Sequence, residues 1–142
     1  MTTLVHVTHE AVQQAGGIGT VLRGLITADS YRDYCQRTIL LGPLTDPGAE
    51  QPLGPEGEVL YDADRQIRTG EVADVLRRVE FEFGVRLIYG RRLLSEGGRQ
   101  ARPEVLLVDV RHPPHGLNDF KHALFQHFGL DSQRYEHHWE YE

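Results

Sequence analysis

Apolar residues recur along this chain with two different periods, and the alternation between them outlines an α/β domain. Leu4 to Thr8 is a short apolar run that reads as a first strand, Gly17 to Ala28 has the pattern of an amphipathic helix, and Arg37 to Leu41 (RTILL), ending at Gly42-Pro43, reads as a second strand. Together they make one βαβ unit. From Thr45 to Gly57 the composition turns to Pro, Gly, Asp and Glu, which predicts a long surface loop within the domain rather than a boundary. Glu58 to Tyr61 then reads as a short strand. Val72, Val75, Leu76 and Val79 share one helical face within Glu71 to Phe83, and Gly84 stops that helix. Val85 to Tyr89 (VRLIY) is the next strand, Gly90 to Ala101 a polar, Arg-rich connection, and Val105 to Val110 (VLLVDV) a continuous apolar run of buried-strand type. Leu117 to Phe128 predicts a further helix with Asn118 or Asp119 as its cap and Gly129 as its stop, and another begins near Asp131. The expected fold is a single α/β, Rossmann-like domain over residues 1–142: a mostly parallel open sheet flanked by helices.

With 142 residues, 39% of them hydrophobic and 25% charged, the chain is long enough to bury one core and short for a two-domain enzyme. A formal net charge of −6 provides no general basic field, which argues against nonspecific nucleic-acid binding while leaving room for a local phosphate site. Cys35, the single cysteine, cannot form an internal disulfide; at the edge of an apolar run it reads as a small buried side chain, and a reducing compartment, the cytoplasm, is expected. Neither a transmembrane run nor a signal peptide is recognisable, since Thr2, Thr3, His6 and His9 interrupt the N-terminus.

The chemistry concentrates where the first strand gives way to the first helix. Gly16-Gly17 at that junction lets backbone N–H groups approach an anion, and the helix N-terminus adds a partial positive charge, so phosphate is the natural guest. Glu10, at the carboxyl end of the strand, is placed where open α/β sheets put ligand groups and is the better candidate for a sugar contact. Asp109 has the same position after VLLVDV, with a loop hydrogen bond as the ordinary alternative. His6 and His9 flank the loop, His6 equally suiting a satisfied core residue. Arg91 and Arg92, with Arg86 and Arg99, form a basic stretch that suits either a phosphate contact or a solvated face. His112, His115, His127, His137 and His138, with Glu136 and Glu140, lack metal-site spacing, and a solvated helix surface is the stronger reading, so neither metal nor cofactor is expected. Gly16-Gly17-x-Gly19 lacks the third glycine of a dinucleotide fingerprint, and no hydrolase or thiol motif is present.

The segment VTHEAVQQAGGIGTVL resembles the N-terminal motif of glycogen synthases of the animal and fungal type, in which a Glu and a Lys-x-Gly-Gly-Ile turn precede the first helix. Three further patches follow in the family's order. Ile88 to Leu94 resembles its aromatic-Gly-Arg-Trp-Leu-Ile segment, VLLVDV the strand after it, and FKHALFQHFGLDS its Trp-Lys-x-x-Leu-Trp helix and turn. The resemblance implies the GT-B architecture of two Rossmann-like lobes across a cleft, of which this chain is an incomplete N-terminal lobe. It implies that Gly16 and Gly17 face the diphosphate of a nucleotide sugar, UDP-glucose or ADP-glucose, and that an α-glucan is the acceptor. The family's lysine before the turn falls at Gln14, so a cationic phosphate contact is replaced by neutral hydrogen bonding. Its Trp falls at Arg92.

No residue here inherits a catalytic role by that resemblance, because the family's catalytic histidine, its Arg and Lys pair and its glutamate pair lie beyond this chain. Retaining glucosyl transfer needs both walls of a closed cleft, so the isolated chain is expected to be inactive. The ending HHWEYE has no helix terminator and reads as a cut, which points to a missing C-terminal lobe or to self-association through uncovered sheet surface. The alternative is a non-catalytic carbohydrate-, nucleotide- or protein-binding module.

Overall fold

The structure, a computed structural model, describes residues 2–13, 16–112, 114–131 and 134. Its elements are β1 (Thr3–Val7), α1 (Gly17–Thr27), α2 (Asp29–Tyr34), β2 (Arg37–Pro43), β3 (Glu58–Asp62), β4 (Ile67–Arg68), α3 (Ala73–Phe83), β5 (Leu87–Arg91), β6 (Leu94–Glu96), β7 (Arg99–Ala101), β8 (Glu104–Val108) and α4 (Leu117–Phe128). Six strands form one sheet in the order β1-β2-β8-β5-β3-β4, and β6 and β7 pair separately.

The expected parallel character holds for one half only. β1, β2 and β8 are parallel, whereas β8–β5, β5–β3 and β3–β4 are antiparallel. The reason lies in the connections, because a parallel return needs a crossover of a dozen or more residues, usually a helix. Between β5 and β8 the chain spends those residues on the β6–β7 hairpin. The hairpin turns on Gly97-Gly98, both at positive φ (55° and 78°), and its base is closed by the Arg92 N–H on the Pro103 carbonyl at 3.2 Å. The chain therefore re-enters the sheet at the end it left. The polar stretch expected as a plain connection thus holds two strands, and a glycine pair between polar residues was their signal. The other additions, α2 and β4, are short elements of six and two residues. The expected side-chain cap of α4 is absent; Gly116 at φ +76° precedes it instead, Asn118 and Asp119 lying inside the helix. The helix expected near Asp131 falls largely outside the described residues.

Two clusters pack on opposite faces. Ile26, Tyr31, Leu40, Leu53, Ile88, Leu94, Val105 and Leu107 lie beneath α1, α2 and the β6–β7 hairpin, while Tyr61, Leu76, Leu87 and Tyr89 lie beneath α3. Leu53 explains why the loop over residues 45–57 hugs the sheet: it is 1% exposed and covers Gly90, where an added Cβ would collide with the Glu58 carbonyl and meet Leu53 Cδ1 at 2.6 Å. Glu80 joins α3 to the sheet, accepting the Tyr61 hydroxyl at 2.5 Å and the Leu87 N–H at 2.7 Å. On β1, by contrast, Val5 and Val7 point to solvent, 53% and 76% exposed, and α4 buries none of its residues. Among the described residues no helix is long and apolar enough to cross a membrane.

Candidate functional site

The chain leaves β1 through Thr8, whose N–H donates to the Leu41 carbonyl at 2.8 Å, and turns under the sheet so that Ala11 is fully buried. Glu10 in this turn is 5% exposed, and its Oε2 accepts the Gly19 N–H at 2.6 Å. That carboxylate caps α1. The helix opens at Gly16 with neither a local side-chain cap nor an acidic residue in its first turn, so an acid from upstream in the chain satisfies one of its orphan donors and the dipole together. Gly16 is what permits the approach, since a Cβ there would stand 2.7 Å from Glu10 Oε1. Gly17 differs: a Cβ there meets nothing within 4 Å among the described residues, and Gly16, Gly17 and Ile18 are all exposed.

In this structure Glu10 therefore caps the helix through its Oε2. The signal for this was available, in that α1 lacks a cap of its own. His9, beside it, has Nε2 at 3.7 Å from Glu10 Oε1 and a side chain 68% exposed.

Arg92 secures the same turn from the other side. Its Nη1 donates to the carbonyls of Ala11 at 2.6 Å and Val12 at 2.9 Å, while its Nε is buried without a partner among the described residues. Burial, reinforced by Arg23, lowers the guanidinium's pKa. The side chain borders a small cavity with Glu10, Gly19, Leu22, Leu40 and Leu94, its stem lying among apolar groups.

The four arginines expected as one patch are dispersed. Arg86 pairs with Asp62 at 3.3 Å and Asp64 at 2.9 Å, and Arg99 lies 3.6 Å from Asp29. Arg91 ends β5 in register with Glu104, where β8 begins; the glycine turn follows the opposite, carboxyl end of β1. Arg91 thus stands apart from Gly16 and Gly17.

The remaining candidates take their ordinary roles. Asp109 accepts the Arg111 N–H at 3.1 Å and its Nη2 at 2.6 Å, and that guanidinium holds the carboxyl below the usual range. His6 Nε2 lies 2.9 Å from the Tyr31 hydroxyl, which reaches Thr38 Oγ1 at 3.0 Å, making His6 a satisfied core residue. Cys35 is buried and free. Among the described residues no group of three or more His, Cys, Asp or Glu is placed to hold a metal; Glu136, His137, His138 and Glu140 lie outside them.

What this corner offers chemically is a set of neutral backbone donors at an exposed helix start, braced by a buried carboxylate and a buried guanidinium. The glycogen synthase family model matches residues 6–140. No curated protein matches the chain.

Proposed function

Because the chain belongs to the glycogen synthase family, we propose that it is the first part of the N-terminal lobe of a retaining GT-B glucosyltransferase of the animal and fungal type, which moves glucose from a nucleotide sugar to an α-glucan. Gly16 and Gly17 meet the donor diphosphate, UDP-glucose or ADP-glucose, through their backbone N–H groups. Glu10 holds the turn in place. The observation that carries this reading is the open space at Gly17 beside an exposed helix start, in a turn braced from both sides. With Glu10 already offsetting the helix dipole through the Gly19 N–H, what a phosphate oxygen approaching there would use is the remaining first-turn N–H groups of α1. With Gln14 in place of a lysine, those contacts are neutral, so affinity for the donor is modest. By itself the chain binds without turning over, since the groups that would stabilise a departing diphosphate belong to the opposite wall of the cleft.

The test is a calorimetric titration of the chain with UDP-glucose, ADP-glucose and a malto-oligosaccharide, repeated on Gly17→Val. Loss of nucleotide-sugar heat in the variant at unchanged melting temperature supports the assignment, because a Cβ at this position meets nothing within 4 Å among the described residues. Equal binding by both proteins overturns the glycine role. Binding of neither donor nor saccharide overturns the lobe's proposed part in substrate recognition and leaves a protein-binding module.

A further inference from the structure

A second basic site lies away from the glycine turn. An open groove of about 300 Å3 is bordered by Gln36, Arg37 and Thr38 at the start of β2, Arg91 at the end of β5, and Arg102 and Glu104 at the start of β8. Glu104, its one carboxylate, is fully engaged. It takes Arg37 as a fork, Nε on Oε1 at 2.9 Å and Nη2 on Oε2 at 2.7 Å, and it accepts the Tyr89 hydroxyl at 2.8 Å. The Arg37 hydrogen bonds hold its carboxyl below the ordinary range, so it stays charged and fixed. Arg37 is thereby immobilised at the rim of the groove. Arg91 and Arg102 are exposed and have no ion pair within 4 Å among the described residues. Three guanidiniums stand against Glu104 in the groove and Glu58 opposite Arg91 on β3, which leaves a local net positive charge in a chain whose net charge is −6.

We propose that this groove binds a small multiply charged phosphate anion, held by Arg91 and Arg102 with Arg37 as the fixed wall. Guanidiniums match phosphate oxygens in planar, forked geometry, and a held arginine loses less freedom on binding than a mobile one. The groove is too small for a nucleic-acid backbone track and has the size of a small-ligand site. Its anion differs from the proposed donor diphosphate, which meets backbone groups at the other end of the parallel strands.

The probe is inorganic pyrophosphate, titrated calorimetrically at low ionic strength into Gly17→Val, a background in which the glycine turn no longer contributes. Pyrophosphate binding should persist there and weaken about tenfold or more on adding Arg91→Ala with Arg102→Ala. Both side chains are exposed, so the fold tolerates their loss, and an unchanged melting temperature checks this. A charge-matched control, Arg68→Ala with Arg78→Ala on the same background, should bind as the parent does. Absence of binding in the Gly17→Val background overturns the proposal. So does binding indifferent to Arg91 and Arg102, or an equal loss in the control, which would reduce the effect to general electrostatics. Failure of the donor reading would appear separately, as nucleotide-sugar binding that Gly17→Val does not alter.

Discussion

Glu10 and Gly19, nine positions apart in the chain, are joined by a 2.6 Å hydrogen bond from a backbone N–H to a buried carboxylate. A helix that opens on glycines borrows its cap from the turn that follows β1, which ties the turn to α1. Glu10→Ala leaves the Gly19 N–H without its partner and removes a charge from the positive end of α1, and should cost about 1–3 kcal/mol in urea unfolding. Glu10→Gln keeps an acceptor oxygen and should cost less than half as much. A loss below about 0.5 kcal/mol for Glu10→Ala would refute the capping role.

Tyr61 sets an alkaline limit on stability. Its hydroxyl, fully buried, is pushed up to about 12, first by desolvation and then by its hydrogen bond to Glu80. The unfolded chain releases this proton near the ordinary value of about 10, before the folded protein does, so the stabilisation is complete below pH 10 and is lost as pH rises from there towards 12. Unfolding free energy should fall by up to about 1.4 kcal/mol per pH unit in that window, and Tyr61→Phe should flatten the slope. An unchanged slope in Tyr61→Phe would exclude Tyr61 as its source.

Gly90 shows a purely steric requirement. Its φ is not left-handed, yet an added Cβ collides with the Glu58 carbonyl and with Leu53, the side chain that seats the long loop. Gly90→Ala should destabilise by about 1–3 kcal/mol, and trimming the neighbour in Leu53→Ala should make part of the two costs non-additive. Strict additivity would mean that the clash is relieved by backbone movement instead.

Val5 and Val7 leave β1 as an apolar edge, paired on one side by β2 among the described residues. Edges of this kind recruit further strands. Sedimentation at rising concentration should show self-association of the chain that Val7→Lys reduces without lowering its melting temperature. A monomer at all concentrations would remove the expected association.

The parallel half of the sheet was legible because its strands are apolar runs: Arg37 to Leu41 sits within β2, and of the run Val105 to Val110 the residues up to Val108 lie in β8 while Asp109 and Val110 fall beyond its end. The antiparallel half was hidden by its connections. Only the two-residue turn at Gly97-Gly98 reveals that the stretch after β5 doubles back, and the short strands around it carry too few apolar residues to show a period. At the candidate site, the glycine pair and the helix behind it could be read directly. The partners of Glu10 and Arg91 could not, because each is set by register and by how the chain folds back. Arg37 lies far in sequence from Arg91 and Arg102, and it becomes their neighbour only once β2, β5 and β8 are laid side by side.

The burial of Cys35 makes the protein its own clock. The thiol is 6% exposed, its Sγ lies 3.1 Å from the Arg37 carbonyl, and it is the chain's single cysteine. Alkylation must wait for the corner between α2 and β2 to come apart. With reagent in excess, the rate at which one mass increment accumulates counts how often that corner opens, and comparing it with global unfolding tells whether the first βαβ unit loosens alone or with the whole sheet.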